Sequence, residues 1–94
     1  MPAYDEYPQF DGLSSSEMLH LIIEARLSRT DIQIAAPRLV WGMEYADIGA
    51  AVGMDRSAVS KRLRGQIVPR IELVIHAEMR AQSAKVAAMI NQYK

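Results

Sequence analysis

The sequence predicts a small all-α protein of about five helices, a helix-turn-helix core followed by a long C-terminal helix. Three observations predict it. Half of the 94 residues are apolar but only 6 % are aromatic, a balance that suits helices packed through Ala, Leu, Ile, Val and Met. Apolar residues recur at three- and four-residue steps, and only the stretch Gln66 to Ile75 offers a strand as a serious competitor. Three of the periodic runs open on Ser or Asp and three close on Gly, the expected helix punctuation. A chain of this length buries roughly 60–68 % of its unfolded surface, so one ordinary core holds it without metal or disulfide.

Each element has its own reason. Residues 1–13, with Pro2, Pro8, Gly12 and three aromatics, show no helical period and read as a flexible acidic arm, ordered only where an aromatic docks. Ser14 and Glu17 have the spacing of a capping box, and Met18, Leu19, Ile22, Ile23 and Ala25 give the first helix one wide buried face. Ser28 and Asp31 repeat the signature for a second helix ending near Trp41, with Ile32, Ala35, Ala36, Leu39 and Val40 as its stripe. Pro37 lies inside that pattern and predicts a kink or a restart, and Trp41 reads as core. Gly42 closes the helix. Tyr45 to Val52 is a short third helix stopped by Gly53. Asp55 caps a fourth, Arg56 to Arg64, stopped by Gly65. Gln66 to Val68 then link to Pro69, well placed in the first turn of a fifth helix that runs from about Arg70 to Gln92. The units are the arm at 1–13, a helical domain at 14–65 with its helix-turn-helix at 45–64, and a C-terminal helical element at 66–94.

Several function classes are excluded. Without cysteine there is no disulfide framework, thiolate zinc site or cysteine nucleophile. His20 and His76 are far apart and read as packing or surface residues. The chain shows no nucleophile–base pair, paired carboxylates, phosphate loop or metal cluster, so no enzyme, cofactor, metal or catalytic residue is expected. No apolar run approaches the roughly 18 residues of a membrane span, and the N-terminus is acidic where a signal peptide would be basic. A cytoplasmic protein is the expectation.

Eleven bases and eleven acids cancel, but they are not mixed. Residues 1–24 carry five acids and no base, whereas residues 56–70 carry Arg56, Lys61, Arg62, Arg64 and Arg70 and no acid. Local charge is what a polyanion meets within a Debye length of about 8–10 Å. The basic block coincides with a steric pattern. Two helices crossing steeply need a very small residue at closest approach, and Gly49 stands there. The turn needs a left-handed backbone, which Gly53 supplies. Ile48, Val52 and Met54 pin the turn, and Val59 and Leu63 point inward. Arg56, Ser57, Ser60, Lys61 and Arg64 are left on an outer face of bases and small hydroxyls. A charged outer face is ordinarily only solvated surface, but such faces mix both signs and this one does not.

With those residues in place, Leu27 to Gly65 resembles the fourth region of bacterial sigma factors, and also small sigma-like regulators of phages and mobile elements. The likeness rests on Gly42-Met43-Glu44-Tyr45-Ala46-Asp47-Ile48-Gly49, Val52-Gly53-Met54 and Ser57-Ala58-Val59-Ser60-Lys61-Arg62-Leu63. It covers about forty of the 94 residues. Pro37, the absence of a promoter-melting region and the long helix after Pro69 depart from the pattern. The resemblance therefore implies DNA recognition in a bacterial nucleoid, with RNA polymerase as a candidate partner, and not promoter opening.

In such motifs the second helix enters the major groove, about 12 Å wide. Arg56 and Lys61 are expected at base edges, Ser57 and Ser60 at bases or phosphates, and Arg62, Arg64 and Arg70 at phosphates. Tyr45 reads as packed against the preceding turn. A single short helix binds weakly alone, so a homodimer on half-sites about one turn apart is expected. The fifth helix is its interface, through Ile71, Val74, Ile75, Ala81, Val86, Met89, Ile90 and Tyr93. The plainer reading folds that helix back to complete the core. Competing functions are a phage terminase small subunit, which pairs such a motif with ring-forming helices, and a protein-interaction module docking its basic helix on an acidic surface.

Overall fold

A computed structural model describes residues 6–92; Tyr93, assigned above to the dimer interface, lies outside them. The protein is all-α, with no strand among the described residues. A 3₁₀ turn at Pro8–Phe10 precedes α1 (Ser15–Glu24), α2 (Arg29–Leu39), α3 (Tyr45–Val52) and α4 (Arg56–Arg62). A π turn at Leu63–Ile67 leads directly into α5 (Val68–Gln92).

The helix starts follow the side-chain chemistry. Ser14 accepts from the Glu17 amide at 3.1 Å while the Glu17 carboxylate accepts from the Ser14 amide at 3.0 Å, a complete capping box. Ser28 accepts from the Asp31 amide and Asp55 from the Ala58 amide in the same way. Pro37 neither stops nor restarts α2, which continues to Leu39. Gly42, at φ +67°, turns the chain toward α3.

One core joins all these elements. Phe10, Met18, Ile22, Ile34, Leu39, Ile48, Val59, Leu63, Ile67 and Ile71 are essentially inaccessible. Tyr7 and Phe10 are buried together, ring centroids 6.1 Å apart, so this part of the arm is ordered where its aromatics dock, while residues 1–5 of the arm lie outside the described residues. The aromatic anchors hold, but through a 3₁₀ turn.

Three expectations are corrected. Trp41 is 64 % exposed and not core, because α2 ends before it and the chain turns outward. Ile23 (68 %) and Ile32 (40 %) also fall outside the core, on the solvent edges of wide apolar stripes. Gly65 does not end the fourth helix. The bond from the Val68 amide to the Leu63 carbonyl closes a wider turn, and the helical backbone runs on from Arg56 to Gln92 with no linker at 66–68.

Only the first turns of α5 join the core, and the helix does not fold back: Ile71 is buried and Val74 and Ile75 are half-buried against it. From His76 to Ile90 every side chain is exposed. The helix thus projects, giving a molecule 59 Å long and 24 × 18 Å across.

His20 on α1 bonds Glu78 on α5 at 2.7 Å, and that bond raises the His20 pKa above its ordinary 6.5. A raised folded value means the contribution is complete below the unfolded value and is lost as pH rises through the folded one. Amide exchange at 74–80 is therefore expected to be slower at pH 6 than at pH 8 after correction for intrinsic rates. His20→Gln should abolish the difference.

Candidate nucleic-acid interface

The geometry of α3 and α4 is set by backbone contact. A Cβ built on Gly49 would lie 2.3 Å from the Met54 carbonyl oxygen, so only glycine lets α3 rest against the strand of backbone entering α4. Gly53 has φ +76°, and the Met54 amide bonds back to the Gly49 carbonyl at 2.9 Å, closing α3 with a Schellman-type turn. Ile48, Val59 and Leu63 are buried, while Val52 and Met54 pack half-buried against them. This is the helix-turn-helix arrangement that the spacing implied.

Of the predicted contact residues, five come together. Arg56, Ser57, Ser60, Lys61 and Arg64 line one open concavity of about 410 Å³, across from Glu44, Tyr45 and Ala46 at the start of α3. Ser60 is half-buried and the other four are exposed. Glu44 is the one acid in this lining. No side chain caps the first turn of α3, which carries the Glu44 and Asp47 carboxylates.

Arg62 and Arg70 are not brought to this face. The Arg62 guanidinium pairs with the buried Asp31 carboxylate, tying α4 to α2. Arg70 donates Nε and Nη2 to the Ala25 carbonyl at 3.3 and 3.2 Å, closing the C-terminal end of α1. Each ties its own helix to another one, α4 to α2 and α5 to α1.

A cluster beside the concavity was not foreseen. Arg38 is buried in the last turn of α2; Nη1 donates to the Met43 carbonyl at 2.9 Å and Nη2 pairs with Glu6. Its guanidinium lies 4.2 Å from the centroid of the Tyr45 ring, a cation–π stack. The Tyr45 hydroxyl donates to Glu6 at 2.5 Å. Burial and that bond push the Tyr45 phenol up, so it remains a donor at any physiological pH. Tyr45 therefore packs against the preceding turn, as its sequence position suggested, while its edge still lines the concavity. The only sequence signal for the cluster was an arginine inside an apolar helix face.

Among the described residues no three His, Cys, Asp or Glu side chains gather as metal ligands, and no helix is long and apolar enough to cross a membrane. No protein-family model, curated protein or solved structure matches this chain.

Proposed function

We propose that this protein is a sequence-specific DNA-binding regulator that inserts α4 into the major groove and acts as a homodimer through α5. The observation that carries the reading is the convergence of Arg56, Ser57, Ser60, Lys61 and Arg64 on one open face of a sterically complete helix-turn-helix. Serines allow close approach, and the bases supply guanine-directed or phosphate-directed donors. Arg56 and Lys61 are assigned to base edges and Arg64 to phosphate, with Arg62 and Arg70 withdrawn from the contact set. The resemblance to sigma region 4 supports the same mode of binding and makes bacterial RNA polymerase a secondary partner.

Fluorescence anisotropy with a labelled generic duplex at several salt concentrations tests this. Binding is expected to weaken steeply with salt, with a log–log slope of about −0.9 per phosphate contacted. Arg64→Ala should flatten the slope by about one phosphate. Arg56→Ala and Lys61→Ala should each remove about 1–3 kcal/mol of discrimination once an operator is selected. No binding at low salt would refute the proposal and leave the motif as a protein-docking scaffold.

A further inference from the structure

The projecting half of α5 and the groove at its base have complementary chemistry. Along the free helix Met79, Val86, Met89 and Ile90 are each 50–62 % exposed. Ile75, Met79, Gln82, Val86 and Met89 follow alternating four- and three-residue steps, with Ile90 flanking them four residues after Val86, so they form one stripe, which continues the face that Ile75 turns toward the core. Beyond Glu78 the helix carries Arg80 and Lys85 and no acid. Between the start of α1 and α5 runs a groove of about 430 Å³ whose apolar lining comes from Leu13, Leu21, Ile75 and Met79, where the stripe begins. Its charged lining comes from Asp11, Glu17 and Glu78, the last already bonded to His20 in the same lining, and no lysine or arginine lines it. An apolar, acidic groove thus adjoins an apolar, basic tip that a straight helix cannot fold back to fill.

We propose that the occupant of this groove is the α5 tip of a second copy, the two helices running antiparallel and exchanging tips about a two-fold axis near residues 80–82. This deepens the homodimer part of the reading above and rests on it. In that register Val86 of the second copy meets Ile75, Lys85 of the second copy comes beside Glu78, and symmetry repeats both contacts. A parallel pair would set two basic tips side by side and leave both grooves empty. The two α5 starts then lie about 38 Å apart at 1.5 Å per residue, at or beyond one turn of B-DNA.

Sedimentation equilibrium of the full chain across the micromolar range is the first test. A species of twice 10.5 kDa is expected, and Val86→Glu should return it to monomer with an unchanged far-UV spectrum, because Val86 supports nothing in the single chain. The chain has no cysteine, so single introduced cysteines report the arrangement directly. Gln82→Cys should crosslink to itself on oxidation, and Ile90→Cys should not, since the two Ile90 positions lie at opposite ends of the pair. A monomer at every concentration overturns both the pairing and the homodimer, without touching DNA binding by α4. A dimer that survives Val86→Glu, or one in which Ile90→Cys crosslinks as readily as Gln82→Cys, overturns the antiparallel exchange alone.

Discussion

Gly49→Ala is expected to destabilise the protein by about 3 kcal/mol, the upper range for overpacking a tight contact. At roughly 4–8 °C per kcal/mol for a domain near this size, a thermal melt should fall by about 12–24 °C. The atom that a new methyl meets is the Met54 carbonyl oxygen at 2.3 Å, which is backbone, and the Asp55 carbonyl carbon follows at 3.4 Å. No rotamer change relieves that clash; α3 and the chain entering α4 must separate. Two other glycines calibrate the measurement. Gly53→Ala meets no atom but forces an L-residue to φ +76°, a loss of about 1 kcal/mol. Gly65→Ala has open space, sits in helical backbone and should gain about 0.5–1 kcal/mol from reduced freedom of the unfolded chain. Equal losses at all three positions would show that close approach is not what selects Gly49.

The same glycines show what a sequence reveals and what it hides. Gly49 and Gly53 were legible because each serves a local rule, a close approach and a left-handed turn, within a fixed register of pins at Ile48, Val52 and Met54 and inward residues at Val59 and Leu63. The helix starts at Ser14, Ser28 and Asp55 were legible for the same reason, since a cap is a short-range hydrogen bond. Gly65 was misread as a stop because glycine marks an end only where φ turns positive. Here the burial of Leu63, Ile67 and Ile71 keeps the chain helical, and a π turn adjusts their phase. Trp41 was misread because its size suggested burial, whereas its place after the last turn of α2 sends it outward. Arg62 and Arg70 could not be told from Arg56 or Lys61 by type. What separates them is a long-range partner, Asp31 for one and the end of α1 for the other. The Arg38 cluster was hidden for the same reason, since Glu6 and Tyr45 reach it across 32 and 7 positions of the chain.

Arg38→Met is expected to destabilise the fold by about 2 kcal/mol, in urea melts monitored by circular dichroism. The side chain ties the end of α2 to the Met43 carbonyl, to Glu6 and to the Tyr45 ring. Methionine keeps the bulk but leaves that carbonyl and Tyr45 without their cation. A fully buried pair broken on one side would lose 3–5 kcal/mol. The Glu6 side chain keeps 40 % of its exposure, and water compensates it in part. Glu6→Gln should therefore lose less than 1 kcal/mol, and almost nothing further in the Arg38→Met background. Burial raises the Glu6 pKa, but the Tyr45 and Arg38 bonds outweigh it and hold the carboxyl below its ordinary 4.5. That contribution is thus complete above the unfolded value and disappears as pH falls through the folded one. Arg64 also lowers the Glu6 pKa, so the carboxylate offsets part of the positive field at the concavity. If α4 binds DNA, Glu6→Gln should tighten binding at low salt by about twofold, the effect of one unit charge near a Debye length. A substitution that loosens the fold while strengthening the complex would separate the structural work of this cluster from its electrostatic work.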